Sequence, residues 1–363
     1  MLFLFCILAG KEMYKRRKSK VIEIGNVKIG GDNPISVQSM CNTDTRDIKS
    51  TVRQIEELQD AGCEIIRLAV LNKDAADSVK EIVKKVKIPV VADIHFDYRL
   101  ALKCIENGVS SLRINPGNIG RDEFVKKVID SAKINNVPVR IGINGGSLEK
   151  SFEKSDEPLY KKMVQSAMRH IKILEDNDFD KIKISLKSSD VMTTIEAYRE
   201  ISKMVDYPLH LGVTEAGTLK GGIIKSSVGL GTLLAEGIGD TIRVSLTESP
   251  VEEVIAGFSI LKSLNLRKKG VNFISCPTCG RCGIDLISLA KRTEEKLANL
   301  DKDITIAIMG CPVNGPGEAK HADFGIAGAN GEGYIFMKGE IVKKVPEKDL
   351  LDEFVKIVYS HIL

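Results

Sequence analysis

Short apolar runs alternate with amphipathic stretches along most of the chain. After Pro34 the sequence repeats one unit, in which a β-rich run is followed by a polar loop and then by apolar residues at helical spacing. This alternation predicts right-handed strand–helix–strand crossovers and therefore a parallel sheet. The predicted strands cover residues 35–40, 64–70, 90–95, 111–115, 137–144, 181–187, 209–214 and 241–246.

Amphipathic helices fill the intervals between these strands. They are predicted over residues 50–61, 75–86, 122–135, 159–176, 192–205 and 249–264. The number and length of the units suit a (β/α)8 barrel of about 250 residues. An open, doubly wound sheet would normally carry G-x-G-x-x-G after its first strand, which is missing here. The pattern predicts an α/β protein with an N-terminal TIM-like barrel.

A second module follows a polar linker at residues 265–270. Its pattern predicts helices over 284–300 and 347–362, with strands over 304–309, 333–337 and 340–345. About 95 residues suffice for a compact α/β domain. We therefore predict an N-terminal extension over 1–20, a barrel over 21–265 and a small α/β domain over 271–363.

The apolar N-terminal run is too short to span a bilayer, and basic residues follow rather than precede it. We expect residues 1–12 to be a mis-assigned start ahead of Met13, and the protein to be cytoplasmic with no membrane partner. The formal net charge of +4 and an aromatic content of 5% lack the basic and stacking surfaces of nucleic-acid-binding proteins. We expect no nucleic-acid partner.

Polar side chains occupy the C-terminal end of almost every predicted barrel strand, where barrel enzymes carry their active sites. Several are cations with few accompanying carboxylates, which favours an anionic ligand such as a diphosphate. Alternatively, each Arg pairs with a nearby loop carboxylate. The predicted anion site comprises Arg67, Asp93, Arg113, Asn115, Arg140, Asn144, Lys187, Thr214, Arg243 and Ser245.

Two further residues at these strand ends are candidates for proton transfer. Glu215 is an acidic residue among cations, and its alternative role is a salt bridge to an Arg. His95 could assist it or be a structural histidine. The glycine-rich stretches 142–146 and 217–231 could present backbone N–H groups to phosphate, although glycine in such loops often serves only a turn.

Four cysteines fall in one short region, which predicts a metal centre rather than disulfides. Cys276 and Cys279 form a C-x2-C pair, Cys282 extends the run, and Cys311 follows a predicted strand. Clustered thiolates bind either zinc or an iron–sulfur cluster. The second C-x2-C pair that is usual in zinc ribbons is missing, so the spacing favours iron–sulfur and leaves zinc open.

Longer motifs carry a family resemblance from about residue 21 to the C-terminus. The chain resembles the bacterial two-domain 4-hydroxy-3-methylbut-2-en-1-yl diphosphate synthases of the non-mevalonate isoprenoid pathway. The motifs are VQSM at 37–40, ADIH at 92–95, LRINPG at 112–117, GINGGS at 142–147, GVTEAG at 212–217, GIGDTIRVS at 237–245, SCPTCGR at 275–281 and GCPVNGPGE at 310–318.

The resemblance implies reductive ring opening and dehydration of 2-C-methyl-D-erythritol 2,4-cyclodiphosphate. It also implies a [4Fe–4S] cluster held by Cys276, Cys279, Cys311 and Glu318. Cys282 departs from the family pattern, and a cysteine-for-glutamate ligand swap stays open. The implied electron donor is flavodoxin or ferredoxin. The implied assembly is a head-to-tail homodimer in which one subunit's cluster domain caps its partner's barrel.

Two other classes of function also fit the residues. A non-redox barrel enzyme acting on a phosphorylated substrate, similar to pterin-binding synthases, would carry a structural zinc domain. A non-catalytic, metal-stabilised binding protein would show the same cysteines. Iron and sulfide content, together with visible absorption, separates both classes from an iron–sulfur enzyme.

Overall fold

The computed structural model describes residues 15–115, 119, 122–148, 152, 156–268, 270–298, 300, 302–312 and 319–362. The chain divides into two compact units, Met1–Arg267 and Lys268–Leu363. The expected mis-assigned start at 1–12 and the predicted ligand Glu318 lie outside the described residues. No helix in the described ranges is long and apolar enough to cross a membrane.

The first unit is a hairpin followed by a parallel barrel. The hairpin strands are β1 (Ile22–Ile24) and β2 (Val27–Ile29), and the barrel strands are β3 (Ser36–Met40), β4 (Ile65–Ala69), β5 (Val90–Asp93), β6 (Ser111–Ile114), β7 (Val139–Asn144), β8 (Ile182–Lys187), β9 (His210–Leu211) and β10 (Thr241–Ile242). Their order is β8-β7-β6-β5-β4-β3-β10-β9. A parallel bridge between Ile184 and Leu209 joins the two ends. The predicted α/β barrel is confirmed.

Helices pack around this barrel, and many begin at a residue whose side chain caps the first turn. They are α1 (Ile48–Asp60), α2 (Lys73–Lys85), α3 (Tyr98–Glu106), α4 (Asp122–Ile134), α5 (Leu159–Glu175), α6 (Val191–Met204), α7 (Leu219–Ala235) and α8 (Pro250–Ser263). Asp47, Asn72 and Asp190 each accept a backbone N–H at such a start. Ser249 does so before Pro250, whose fixed φ suits the first helical position.

The sequence pattern does not predict α3 or α7. The glycine-rich stretch that we expected to be a loop is mostly helix α7. Glycine lowers helix propensity, but tertiary packing requires it here. A Cβ at Gly222 would lie 2.5 Å from Leu246, and one at Gly229 would lie 2.9 Å from Val213. The last two barrel strands are also shorter than predicted.

Alternation along the strands gives the barrel a polar interior. On β8, Ile184 and Leu186 pack in the apolar core, so Lys183 and Lys187 point to the opposite side, into the barrel. Arg140 on β7 is the register partner of Lys183 and shares its direction. The apolar core is therefore the layer between strands and helices, whereas the barrel interior collects buried cations.

The segment before the hairpin is attached to the barrel by buried charge. Arg16 Nη2 donates to Asp240 Oδ1 at 2.9 Å, and Asp240 Oδ2 accepts the Leu209 N–H at 2.8 Å. Arg17 donates to the Tyr207 carbonyl at 2.6 Å. The Asp240 side chain is only 2% exposed. These contacts fix Arg16 and Arg17 to the N-terminal ends of β9 and β10.

The second unit is a mixed sheet with helices packed against it. Its strands are β11 (Asn272–Ser275), β12 (Thr305–Met309), β13 (Phe324–Ala329), β14 (Glu332–Met337) and β15 (Glu340–Pro346), in that spatial order. Strands β11, β12 and β13 are parallel to one another, whereas β14 is antiparallel to β13 and β15 is antiparallel to β14. Helices α9 (Leu286–Leu297) and α10 (Leu350–Ile362) share a core with Ile306 and Ile326 of the sheet, to which α10 contributes Phe354. The sequence pattern does not predict β11 or β13.

Replacing Asp240 with Ala should destabilise the barrel, because Arg16 would lose its buried carboxylate partner. Removing one partner of a buried ion pair costs about 3–5 kcal/mol. Asp180→Ala is the control, since Asp180 is 72% exposed and lies 4.0 Å from Lys20 Nζ; its cost should be at most about 1 kcal/mol. Urea unfolding followed by circular dichroism measures both. Equal midpoints for the two variants would contradict the assignment.

Candidate active site

A polar cavity of about 190 Å³ lies at the C-terminal ends of the barrel strands. Parallel strands deliver their last residues to one rim, so side chains distant in sequence meet there. The cavity is lined by Arg67, Asp93, His95, Arg113, Arg140, Asn144, Ser185, Lys187, Thr214, Arg243 and Ser245. The structure thus brings together all of the predicted barrel residues except Asn115 and Glu215.

Those two residues lie beside the cavity lining in the sequence but outside it in the structure. Asn115 follows β6 and is 4% exposed. Glu215 follows the lining residue Thr214, is exposed, and has a φ of +52°. A non-glycine residue in this left-handed region stores strain, which proteins retain mostly at functional sites. The proton-transfer role of Glu215 stays a prediction that this strain supports.

Asp93 is a carboxylate set among the cations of the rim. Its Oδ1 accepts from Arg113 Nη1 at 3.1 Å, and its Oδ2 lies 3.6 Å from both Arg67 Nε and His95 Nε2. Burial alone would raise the pKa of Asp93, but Arg67, the nearby His95 side chain and Arg113 together hold that pKa well below its usual range. Asp93 therefore stays charged and orients its neighbours.

Positive charge nevertheless exceeds negative charge in the cavity. Arg140 is 2% exposed, and its Nε and Nη1 have no hydrogen-bond partner within the described residues. Burial, followed by the charges of Arg67 and Arg113, lowers the pKa of Arg140. Burial, followed by Arg140 and Arg243, also lowers the pKa of Lys187. A ligand with negative charge and several acceptor oxygens would relieve both costs.

Arg113 is held in place by a glycine on the next strand. Its Nη2 donates to the Gly142 carbonyl at 3.1 Å. A Cβ at Gly142 would lie only 2.5 Å from Arg113 Nε. Glycine therefore allows the guanidinium to lie against β7, which gives the first glycine of the GINGGS motif a structural reason.

Three supporting residues carry little signal in the sequence. Glu253, on α8, accepts from Arg243 Nε at 3.3 Å and from Nη2 at 3.4 Å. Met40 Sδ lies 2.8 Å from Arg67 Nη2 and 3.8 Å from Arg243 Nη1. Ser185 lines the cavity two residues before Lys187, so strand alternation could have identified it. Nothing in the helical pattern distinguishes Glu253 from a surface residue.

A second cavity, of about 120 Å³, lies in the cysteine-containing unit. Cys276, Cys279, Cys282 and Cys311 all line it. Strands β11 and β12 are parallel neighbours, so Cys276 and Cys311, which follow their C-terminal ends, reach the same sheet edge. Cys279 and Cys282 share a turn closed by a 2.9 Å bond from the Cys282 N–H to the Cys279 carbonyl.

The chemistry of this cavity fits a thiolate-bound centre. Cys276 Sγ accepts the Gly310 N–H at 3.3 Å, and such bonds tune iron–sulfur centres. A Cβ at Gly310 would lie 2.6 Å from Cys282 Sγ, so the close approach requires glycine. Within the described ranges, no three His, Cys, Asp or Glu side chains form a group that could hold a metal ion.

Both units match known protein families. Residues 19–258 match the GcpE TIM-barrel domain, and residues 272–360 match the GcpE protein C-terminal domain. A protein of Clostridium perfringens is 60% identical over 344 residues, which cover 94% of this chain and 99% of that protein. A protein of Geobacter sulfurreducens is 57% identical over 341 residues, covering 94% and 97%. Both are named 4-hydroxy-3-methylbut-2-en-1-yl diphosphate synthase (flavodoxin).

More distant solved structures share the barrel fold. Dihydropteroate synthase from Stenotrophomonas maltophilia is 12% identical, with a TM-score of 0.53 over 68% of this chain and 97% of that chain. The Xanthomonas albilineans enzyme with 7,8-dihydropteroate is 13% identical, with a TM-score of 0.51 over 68% and 98%. Identity this low supports the fold alone. The two domain matches and the nearly full-length relatives go further: the chain belongs to the GcpE family, the 4-hydroxy-3-methylbut-2-en-1-yl diphosphate synthases.

Proposed function

We propose that the chain catalyses reductive ring opening and dehydration of 2-C-methyl-D-erythritol 2,4-cyclodiphosphate to 4-hydroxy-3-methylbut-2-en-1-yl diphosphate. The observation that carries the proposal is the buried excess of cations at the barrel rim. A cyclic diphosphate supplies the missing charge and many acceptor oxygens. The family relationship supports the reaction, and the four-cysteine cavity supports a redox centre.

The rim residues would bind the substrate in a largely preformed arrangement. Asp93 and the Gly142 carbonyl both hold the guanidinium group of Arg113, and Glu253 holds that of Arg243. Preorganised donors of this kind stabilise charge at little reorganisation cost. The proposed substrate-binding residues are Arg67, Asp93, Arg113, Asn115, Arg140, Asn144, Lys187, Thr214, Arg243 and Ser245.

Glu215 and His95 are the proposed proton-transfer residues. The His95 side chain is 47% exposed, and its Nε2 lies 3.2 Å from Arg113 Nη1. The side chain is therefore partly in solvent, while its contact with Arg113 fixes the orientation of the ring. Glu215 follows Thr214 in a strained conformation that supports a role beyond packing.

We propose that Cys276, Cys279, Cys311 and Glu318 hold a [4Fe–4S] cluster. All four thiols line one cavity, and the chain lacks the second C-x2-C pair that is usual in zinc ribbons. When bound, such a cluster supplies electrons and a Lewis-acidic iron. Cys282 lines the same cavity, so its part in ligation is the main question for experiment.

The proposed partners follow from the relatives and from one exposed surface. Flavodoxin is the proposed electron donor because the relatives' names specify it, and ferredoxin is the alternative.

A second copy of the chain is the proposed partner of α7, where Ile224 and Val228 are 64% and 52% exposed. An apolar cavity of about 340 Å³ lies beside them, between α7 and α8. Light scattering should then give twice the chain mass of 39.8 kDa.

The decisive experiment is an anaerobic turnover assay on the cluster-reconstituted full chain. The cyclodiphosphate is supplied with reduced flavodoxin, and the allylic diphosphate is quantified by mass spectrometry. Product formation that depends on both reductant and cluster supports the proposal. A protein that contains stoichiometric zinc, fails reconstitution with iron and gives no product would overturn it.

Serine substitutions at the four cavity cysteines should separate ligands from neighbours. Replacing Cys276, Cys279 or Cys311 should abolish most bound iron, since serine binds iron far more weakly than thiolate. Cys282→Ser is the matched control and should retain about four irons per chain. Iron, sulfide and EPR measurements after identical reconstitution give the comparison. Loss of iron in Cys282→Ser would instead establish the ligand swap.

Adding a methyl group at Gly142 should displace Arg113 and weaken substrate binding. The new Cβ would lie 2.5 Å from Arg113 Nε, so we expect KM to rise at least about tenfold. Gly146→Ala, in the turn that follows β7, is the control, because a Cβ there meets nothing within 4 Å. Steady-state kinetics at full cluster occupancy measures both variants. An unchanged KM in Gly142→Ala would count against Arg113 as a substrate ligand.

Glu215→Gln should slow turnover with little change in substrate affinity, because glutamine keeps the size but transfers no proton. General acid–base catalysis contributes about 10²–10⁴-fold. Glu236→Gln is the control, since Glu236 pairs with Arg199 through an ion pair on the outside of the barrel. The readouts are kcat, KM and iron content. Full turnover by Glu215→Gln with an intact cluster would exclude the proton role.

A further inference from the structure

His210 is a fully buried histidine next to the anion cavity but outside its lining. It begins β9, and its neighbours Leu209 and Leu211 pack in the apolar core. Strand alternation therefore directs His210 into the barrel. Buried imidazoles in polar interiors need partners for both ring nitrogens.

Both ring nitrogens have such partners. Nε2 lies 3.3 Å from Lys187 Nζ, and Nδ1 lies 2.6 Å from Thr241 Oγ1. When Lys187 is charged its ammonium can only donate, so Nε2 accepts and Nδ1 carries the proton. Nδ1–H then donates to the Thr241 hydroxyl oxygen. The two neighbours thus select one neutral tautomer of His210.

The surroundings also keep the ring neutral. Burial, followed by the charges of Lys187 and Arg140, lowers the pKa of His210 well below its ordinary value. A protonated ring would place an N–H opposite the Lys187 ammonium. The ring must therefore be neutral for Nε2 to accept a hydrogen bond from a charged Lys187.

The backbone of His210 is fixed independently of its ring. The hydroxyl of Tyr198, a buried residue of α6, donates to the His210 carbonyl. The same hydroxyl accepts the Leu186 N–H at 3.0 Å. Leu186 directly precedes Lys187, so one phenol ties the strand that carries the lysine to the strand that carries its acceptor.

Gly212, directly after β9, leaves room for the lysine beyond the ring. A Cβ at Gly212 would lie 2.5 Å from Lys187 Nζ, so a side chain there would displace the ammonium. Within the described residues, no carboxylate oxygen lies within 4.0 Å of Lys187 Nζ. The contacts that orient this cation are therefore neutral.

We propose that His210 is a positioning residue, a neutral acceptor that holds Lys187 toward the anion cavity without cancelling its charge. A carboxylate in this place would orient the lysine equally well but would neutralise it, which would reduce its attraction for a diphosphate. The inference rests on the proposed function, because it assigns the cyclic diphosphate as the anion that Lys187 meets.

A matched pair of substitutions tests the point. Gln is able to place an acceptor oxygen near the position of Nε2, and Glu has the same shape with a negative charge. His210→Gln should retain the wild-type Kd for the cyclodiphosphate within about threefold, whereas His210→Glu and His210→Phe should raise it about tenfold. Calorimetry on the cluster-reconstituted full chain, without reductant, measures binding separately from turnover. Equal Kd values for the Gln and Glu variants would overturn the proposal.

Two controls separate positioning from a general loss of structure. His170→Phe removes another buried histidine, located in α5, and should leave Kd unchanged. In a Lys187→Met background, the neutral substitution His210→Phe should cause no further loss of affinity, because His210 acts through the lysine. An additional tenfold loss of affinity in that background would show that His210 does not act through Lys187. If His210→Phe does not fold, the Gln and Glu pair decides alone.

Failure of the inference differs from failure of the proposed function. A wild-type chain that does not bind the cyclodiphosphate would refute the function. A wild-type chain that binds it, with all His210 variants equal to wild type, would refute only the positioning role.

Discussion

Buried positive charge inside the barrel is the constraint on which the rest of this structure depends. The two-residue period of a strand places Arg140, Lys183 and Lys187 on the inner face. Burial, followed by the charge of Arg140, lowers the pKa of Lys183, and its Nζ has no hydrogen-bond partner within the described residues. Such groups destabilise a fold unless packing elsewhere offsets them. The continuous apolar layer between strands and helices provides that compensation.

The active-site cations are mostly oriented by groups that preserve their charge. Arg113 donates to a backbone carbonyl, Arg67 meets the sulfur of Met40, and Lys187 meets a neutral imidazole. Two carboxylates are the exceptions: Asp93 is shared among several cations, and Glu253 pairs with Arg243. A site built in this way has a fixed geometry, and much of its positive charge is not neutralised by the protein. That combination favours tight and oriented binding of a diphosphate.

The two units use the same feature of parallel sheets. In the barrel, strands separated along the chain end at one rim, and their last residues line the cation cavity. In the second unit, Cys276 and Cys311 follow the ends of two adjacent parallel strands and line one cavity. In both cases rigid strands position the reactive groups, and short loops supply the remainder. Chemistry at strand ends is thereby separated from the cores that stabilise each unit.

The sequence alone determined the barrel class and most rim residues, because the period of apolar residues shows which face each side chain occupies. It also determined the cysteine cluster and the family resemblance, because both are carried by short runs of consecutive residues. Only the tertiary structure decided that α7 is a helix, that Glu253 holds Arg243, and that His210 accepts from Lys187. These contacts depend on strand register and helix packing across long separations in the chain. A local pattern assigns a side chain to a face, but only the closed barrel determines which distant residue it meets there.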